Sequence, residues 1–260
     1  MSGREYTLRE LMTVVAARQM EDNKAVAVGT GLPLAAAMLA QKTHAPNLLI
    51  VFEAGGVAPQ LPTLPISVGD SRTIHKALMC TTLIDIMDMM RRGYIDYAFL
   101  GGAQIDKYGN LNSTMIGDNY EQPKVRFPGS GGANDFGSLA WETMIIMDRH
   151  GPRRFVENVD FITTPGYLDG PGSREGWGLS PGTGPSRVVT DLCLFDFHPE
   201  TKIMRLKALH PGITEEDVKK ATGFEIEVAS SIETNTPPTA EDLRILHEVI
   251  DPTGRIFPKK

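Results

Sequence analysis

Apolar stretches and the spacing between them set out the elements of this chain. Behind Thr7-Leu8-Arg9-Glu10, a capping-box pattern, apolar positions recur at helical intervals through Met20. Ala25-Val26-Ala27-Val28 reads as a strand running into Gly29-Thr30-Gly31, and a helix led by Pro33 comes next. Leu48-Leu49-Ile50-Val51-Phe52 is apolar throughout, the mark of a strand buried on both faces of a parallel sheet. A Pro-rich loop (Pro59, Pro62, Pro65) leads to a predicted helix from about Asp70 through the Met-rich stretch ending at Met90. Its methionines at helical spacing fit core or interface packing better than a cofactor box. Ile95 to Leu100 is a further strand and empties into Gly101-Gly102.

Strand, helix, strand, helix, strand in this order implies a parallel sheet with right-handed crossovers. The expected fold is therefore α/β: an open, mostly parallel sheet flanked by helices. Gly101 to Gly137 is glycine-rich and irregular, and Thr163 to Pro185 is a long segment of Gly, Pro, Ser and Thr; functional loops have this character. Val188 to Phe197 and Lys202 to Leu209 read as a C-terminal antiparallel pair, and helices opening at Thr214 and near Thr239 close the chain. No repeat, low-complexity stretch or linker divides it, so a single domain over 1–260 is expected.

The 260 residues suffice for a proper core, and 41% hydrophobic with 22% charged residues is ordinary for a soluble globular protein. A net charge of -6 without a basic stripe argues against nucleic-acid binding; Arg91-Arg92 and Arg153-Arg154 read as solvated helix ends or ion pairs. Cys80 and Cys193 lie far apart with no CxxC, which fits a reduced compartment and suggests neither a disulfide framework nor a zinc site. The N-terminal stretch Met1 to Glu10 is polar, and no run of about 18 apolar residues exists to span a bilayer. A cytoplasmic protein with no membrane partner is expected.

Glu53 is the most informative residue. It closes the apolar run and precedes Ala54-Gly55-Gly56, at the strand end where open α/β sheets place their chemistry. An ionised carboxylate there is costly unless it is paired or kept for a purpose. Pairing with an Arg, or a strand that stops early and leaves Glu53 solvated, accounts for it as well as function does. Three glycine-rich stretches accompany it. Gly29-Thr30-Gly31 before a helix could present N–H groups to a phosphate, but Leu34 replaces the third glycine of a dinucleotide fingerprint, and a tight turn is the better account. Gly101-Gly102-Ala103-Gln104 offers Gln104 as a donor to a developing oxyanion, against a turn-rich connection that satisfies buried backbone. Pro128-Gly129-Ser130-Gly131-Gly132-Ala133-Asn134-Asp135 stands before a helix, and three glycines in four positions favour an anion, a carbonyl oxygen or a pantetheine amide as ligand. The six histidines are scattered without metal-ligand spacing, no GxSxG elbow occurs, and neither cysteine has a suggestive histidine beside it. One carboxylate beside backbone-rich loops suits a nucleophile attacking an activated acyl group.

In order along the chain, VGTGLPL (Val28 to Leu34), the strand-Glu-x-Gly at Glu53, SVGD (Ser67 to Asp70), GGAQID (Gly101 to Asp106) and RFPGSGGAN (Arg126 to Asn134) form a recognisable series. TTPGYLDGPG (Thr163 to Gly172), VVTD (Val188 to Asp191), TGF (Thr222 to Phe224) and IDP (Ile250 to Pro252) complete it. The series resembles the family I CoA-transferases, and among them the B (beta) subunits of the glutaconate type. That resemblance implies that Glu53 attacks an acyl-CoA thioester, giving an acyl-glutamyl anhydride and CoA thiolate. The thiolate then forms a glutamyl-CoA thioester, and a second carboxylic acid reverses the sequence. It implies oxyanion or CoA contacts at Gly129, Gly131, Gly132 and Ala133, with Gln104, Gly101 and Gly102 in the same oxyanion or CoA set and Gln104 near the acyl group. Gly29 and Gly31 are kept as a candidate ligand loop, with a tight turn still the better account. It implies no metal or redox cofactor, with coenzyme A as substrate, and an alpha (A) subunit partner that completes a hetero-oligomer.

Ala54 stands where relatives commonly carry Ser or Asn, which bears on substrate selection. Related B-type subunits without the glutamate serve ring-opening acyl-CoA hydrolases or decarboxylases, and the likeness to them includes Ala208-Leu209-His210-Pro211-Gly212. Retention of Glu53 favours transfer over both. A non-catalytic ligand-sensing module is the alternative of another class; the absence of a DNA-reading domain and the cost of an idle buried glutamate argue against it.

Overall fold

A computed structural model describes residues 5–258; the first four positions of the polar N-terminal stretch lie outside them. The chain separates into two compact units, Met1–Phe99 with Thr236–Lys260, and Leu100–Asn235.

In the first unit Thr7 and Glu10 close the expected capping box on helix α1 (Leu8–Ala17). Strand β1 (Ala25–Val28) is buried at all four positions, as a strand covered on both faces must be. It pairs in parallel with β2 (Leu49–Val51), reached over helix α2 (Leu32–Lys42), whose alanines let it pack closely against α1. Beyond β2 the sheet turns antiparallel: β3 (Gly56–Val57) returns along β2, and β4 (Met79–Cys80) runs along β3.

The predicted helix from Asp70 to Met90 does not form as one element. Asp70 caps a single 3-10 turn, Ser71–Ile74, Lys76 takes a left-handed φ of 48°, and the chain extends into β4. Helix α3 (Leu83–Arg91) starts only at the capping box of Thr82 and Asp85. Pairing with β3 overrides the helical spacing upstream, because Leu78 and Thr81 each donate a backbone bond to that neighbour, at 3.0 Å to Val57 and 2.9 Å to Gly55. Strand β5 (Tyr97–Leu100) then enters on the other side of β1, again in parallel.

The second unit opens with two short ribbons, β6 (Gln104–Ile105) with β7 (Leu111–Asn112), and β8 (Met115–Ile116) with β9 (Val125–Arg126). Helix α4 (Ala133–Leu139), strand β10 (Glu142–Met147) and the one-turn helix α5 (Ser173–Gly176) follow. Strand β11 (Gly184–Thr190) lies parallel to β10, and β12 (Cys193–Phe197) and β13 (Met204–Leu209) continue antiparallel. The expected antiparallel pair is thus a meander of three strands. Its first stretch, Val188 to Phe197, is folded back at Asp191-Leu192, where the Thr190 hydroxyl accepts the N–H of Leu192 and of Cys193, both at 3.0 Å. Helix α6 (Glu215–Ala221), opened by Thr214 as predicted, leads to β14 (Glu227–Thr234), parallel to β13.

Chain from Thr236 onward returns to the first unit. Arg18 donates to the carbonyls of Thr236 and Pro237 and pairs with Asp242 at 3.2 Å, and Thr239 caps helix α7 (Ala240–Arg244). The helix widens into a π-helical stretch, Ile245–Ile250, tied to α1 by His247 and Glu10 at 2.6 Å. No helix among the described residues is long and apolar enough to cross a membrane.

One half-buried histidine is expected to make the second unit acid-sensitive. His150 stacks on Phe155 with ring centroids 3.8 Å apart, and its nitrogens meet the hydroxyls of Thr190 at 3.2 Å and Thr222 at 2.9 Å. Desolvation pushes its pKa down to about 3. A depressed pKa contributes stability that is whole above about 6.5 and is lost as pH falls toward 3. Going from pH 6.5 to pH 4 therefore costs about 3 kcal/mol through this residue. Urea unfolding at the two pH values checks it: His150→Gln narrows the difference by about that amount, and an unchanged difference refutes the assignment.

Candidate active site

Strand β2 ends at Val51, two residues before Glu53, so the strand does stop early. Phe52 is fully buried, and its carbonyl accepts the Gly55 N–H at 3.0 Å, which closes a turn with Glu53 and Ala54 at its two central positions. The Gly56 carbonyl accepts the Phe52 N–H at 2.8 Å, and the Gly55 carbonyl accepts the Thr81 N–H at 2.9 Å. The Gly55-Gly56 pair is required by crowding. A Cβ on Gly55, where φ is +112°, would stand 1.9 Å from the Thr81 carbonyl oxygen, and one on Gly56 would stand 2.1 Å from that of Thr73. Two bare backbone positions therefore seat the turn against its neighbours and hold the half-buried Glu53 at the tip. Its carboxylate has no hydrogen-bond or ion-pair partner among the described residues, so the alternative of pairing with an Arg finds no partner there.

Gly31 borders a second feature of the same unit, whereas Gly29 is not part of its lining. Gly31 is the N-cap of α2 with φ of 92°, and no side chain caps that helix. A cleft of about 240 Å³ lies beside it, lined by Thr30, Leu64, Ile66, Asp251 and Arg255. Asp251 shapes its far wall, since its carboxylate accepts the backbone N–H groups of Arg255, Ile256 and Phe257 at 2.7 to 3.0 Å.

In the second unit Gly101 brings the chain within reach of β10, because a Cβ there would lie 3.1 Å from the Ile146 carbonyl. Gly102 is equally tight against Gln104 and Leu111. Gln104 is buried, and its carboxamide is already engaged: the oxygen accepts from Asn112 at 2.7 Å and from the Asp160 N–H at 3.1 Å, while Nε2 donates to Asp160 at 3.3 Å. One N–H of that amide remains for another acceptor.

Ser113, next in line, joins this network to the glycine loop. Its carbonyl accepts the Gly129 N–H at 3.1 Å and its hydroxyl donates to the Gly129 carbonyl at 3.3 Å. Gly129 and Gly131 take φ of +97° and +49°, and a Cβ on either would meet nothing within 4 Å. The backbone of this loop thus faces open space. Gly132 caps α4 without a side-chain bond, and Ala133 begins the helix. Among the described residues the N–H groups of Gly131 and Gly132 have no acceptor, the condition in which a loop can take up an oxyanion or carbonyl oxygen.

Several residues that shape this half carry no local sequence signal. Asp106 is buried beneath the Tyr108-Gly109-Asn110 turn; burial raises its carboxyl to about 6 against the N–H bonds of Asn110 and Tyr108. The Asn110 oxygen reaches the N–H groups of Gly166 and Leu168 at 2.8 and 3.1 Å, fastening the Thr163 to Gly172 segment to this turn. Arg174 lies 1% exposed under the same segment.

The pattern described as Coenzyme A transferase matches residues 9–221. The B-type subunit of glutaconate CoA-transferase from Acidaminococcus fermentans is 41% identical over 97% of this chain and 95% of that protein. The B-type subunit of 3-oxoadipate CoA-transferase from Pseudomonas knackmussii is 38% identical over 93% of this chain and 92% of its own. The crystal structure of glutaconate coenzyme A-transferase from A. fermentans superposes with a TM-score of 0.92 at 38% identity, covering 98% of both chains. A parallel sheet that delivers a glutamate to a glycine-bound turn, and a match over nearly the whole length, place this chain in the coenzyme A transferase family.

Proposed function

We propose that this chain is the B-type subunit of a heteromeric acyl-CoA:carboxylate CoA-transferase, and that Glu53 carries the coenzyme covalently. The observation that carries the reading is Glu53 itself: a half-buried carboxylate at the tip of a turn seated by two sterically required glycines, with no partner among the described residues to neutralise it. A carboxylate held in this way stays nucleophilic, whereas one paired to Arg would be quenched.

Glu53 attacks the thioester carbonyl and CoA thiolate leaves; the thiolate then attacks the glutamyl carbonyl of the anhydride and the first acid departs. The second acid attacks the glutamyl-CoA thioester, and reversal of the two steps returns acyl-CoA and free Glu53. Bond energy passes from thioester to thioester, so the cycle calls for no metal or redox cofactor. The bare N–H groups of Gly131 and Gly132 suit the oxyanion or the pantetheine arm, and the spare N–H of Gln104 suits the acyl group. An A-type subunit supplies the rest of the site, in the cytoplasm. The names of two relatives, glutaconate and 3-oxoadipate, both denote dicarboxylic acids, and a dicarboxylic acid is the substrate class proposed.

The test uses the complex purified with its A-type subunit, exposed briefly to acyl-CoA and then to borohydride, followed by peptide mass spectrometry. Reduction of Glu53 to the alcohol, or a CoA adduct on its peptide, is the expected result. An unmodified peptide from a complex that still consumes acyl-CoA overturns the covalent reading in favour of hydrolysis or decarboxylation.

A further inference from the structure

We propose that Arg174 is a positioning residue for the Gly129–Ala133 loop: its buried guanidinium locks α4 to the Thr163–Gly166 segment and so fixes where the loop's N–H groups point. The inference rests on the reading of that loop as an oxyanion or CoA contact.

Arg174 has no carboxylate partner among the described residues, which is unusual for a guanidinium that is 1% exposed. Every bond it makes goes to neutral oxygen. Nη1 donates to the carbonyls of Pro165 at 3.1 Å and Gly166 at 2.8 Å. Nη2 donates to the Gly137 carbonyl at 3.1 Å, the Ser138 carbonyl at 3.5 Å and the Thr183 hydroxyl at 2.9 Å. Its Nε is buried without a partner. A charge left without a counter-ion in this way costs stability, and the fork geometry it uses joins two backbone segments at a single point.

Those two segments are the ones that hold the loop. Gly137 and Ser138 lie in α4, which begins at the loop's own Ala133. The Thr163–Gly166 segment touches α4 so closely that a Cβ on Gly137 would stand 2.2 Å from the Thr164 methyl. Asn134 donates to the Thr163 carbonyl at 3.2 Å, and the Thr163 hydroxyl accepts the Ser113 N–H at 2.9 Å. Ser113 in turn holds Gly129. The loop is therefore tied at Gly129 on one side and through α4 on the other, while a Cβ on Gly129 or on Gly131 would meet nothing within 4 Å. Its N–H directions follow its anchors, and a shift of about 1 Å in such donors costs on the order of 100-fold in rate.

Arg174→Lys replaces the fork by a single ammonium that cannot bridge Pro165–Gly166 and Gly137–Ser138 together. In the complex with the A-type subunit, kcat falls about 30-fold while KM for acyl-CoA stays within about threefold, because the misaimed donors act on the transition state. Guanidinium chloride at low millimolar concentration raises kcat of Arg174→Ala about tenfold, and sodium chloride at equal ionic strength does not. Hydrogen exchange rises in peptides covering Gly129 to Leu139. A kcat within twofold of the parent in Arg174→Lys overturns the inference, as does a loss explained wholly by fewer assembled complexes. Should Arg174→Ala fail to assemble, Thr183→Val carries the test: it removes one acceptor, and kcat lowered about threefold at constant KM supports the inference, while unchanged kcat overturns it. Gly132→Pro separates the two readings, because it removes one of the unpartnered N–H groups at a φ of -83° that proline can adopt. Full activity in Gly132→Pro removes the loop's N–H groups from catalysis; lost activity there with retained activity in Arg174→Lys removes only the role of Arg174.

Discussion

Glu53→Gln lowers turnover by about 10³-fold or more and leaves folding and subunit assembly unchanged. The two side chains are isosteric, and no donor among the described residues depends on the Glu53 carboxylate, so the amide orphans nothing when it replaces the acid. What disappears is the proposed nucleophile: a neutral carboxamide cannot form the anhydride, nor carry CoA as a thioester. Thermal unfolding of the variant should lie within about 1 °C of the parent, since none of the mechanisms that produce large stability changes operates at this position. Glu53→Asp makes a finer test. It keeps the charge but withdraws the carboxylate by one methylene from a turn that cannot advance, because Gly55 and Gly56 are wedged against Thr81 and Thr73. A loss of about 100-fold is expected, measured as steady-state transfer of CoA between two acids. Full turnover by Glu53→Gln would end the covalent reading.

Gly55→Ala is the second large effect, and it works through structure. The added methyl would lie 1.9 Å from the Thr81 carbonyl oxygen and 2.6 Å from its carbonyl carbon, so rotation of a side chain cannot relieve the clash. The φ of +112° adds conformational strain for any L side chain. Either β4 leaves β3 or the turn at Glu53 opens. About 3–4 kcal/mol of stability is expected to go, and a melting point lower by about 10 °C reports it. Transfer activity is lost with it, since the turn is what aims Glu53. Gly31→Ala is the contrast: φ there is +92°, but a Cβ meets nothing within 4 Å, so strain alone remains, about 1–2 kcal/mol. Equal melting points for the two variants would show that crowding by Thr81 is not what requires Gly55.

Reading the chain residue by residue recovers elements whose signal is local. The strand at Ala25–Val28 and the helix starts at Thr7, Thr214 and Thr239 fall where apolar runs and capping residues put them, because a cap and its partner are only three residues apart. The glycine stretch before α4 and the glutamate ending the second apolar run are equally visible, since both are patterns of neighbours. Legibility fails where a distant segment competes. Helical spacing from Asp70 to Met90 loses to the pairing of β4 with β3, and the single strand expected at Val188 to Phe197 is folded back at a turn held by one threonine hydroxyl. Gln104 reads in sequence either as a donor to a ligand or as part of a turn-rich connection that satisfies buried groups, and Asn112 and Asp160 take up most of its hydrogen bonds.

The sequence by itself determined the α/β character of the chain, the parallel strands of its first unit, its family likeness and the glutamate to which the chemistry is assigned. Each is written in adjacent residues or in a period of two or of nearly four. Tertiary structure alone decided why Gly55 and Gly56 admit no other side chain, how Asn110 fastens the Thr163 to Gly172 segment, and that Arg174 is buried among carbonyls 8, 9, 36 and 37 positions away. Those facts depend on which backbones approach each other across the fold, and the composition of a segment says nothing about the carbonyl that will come to rest against it.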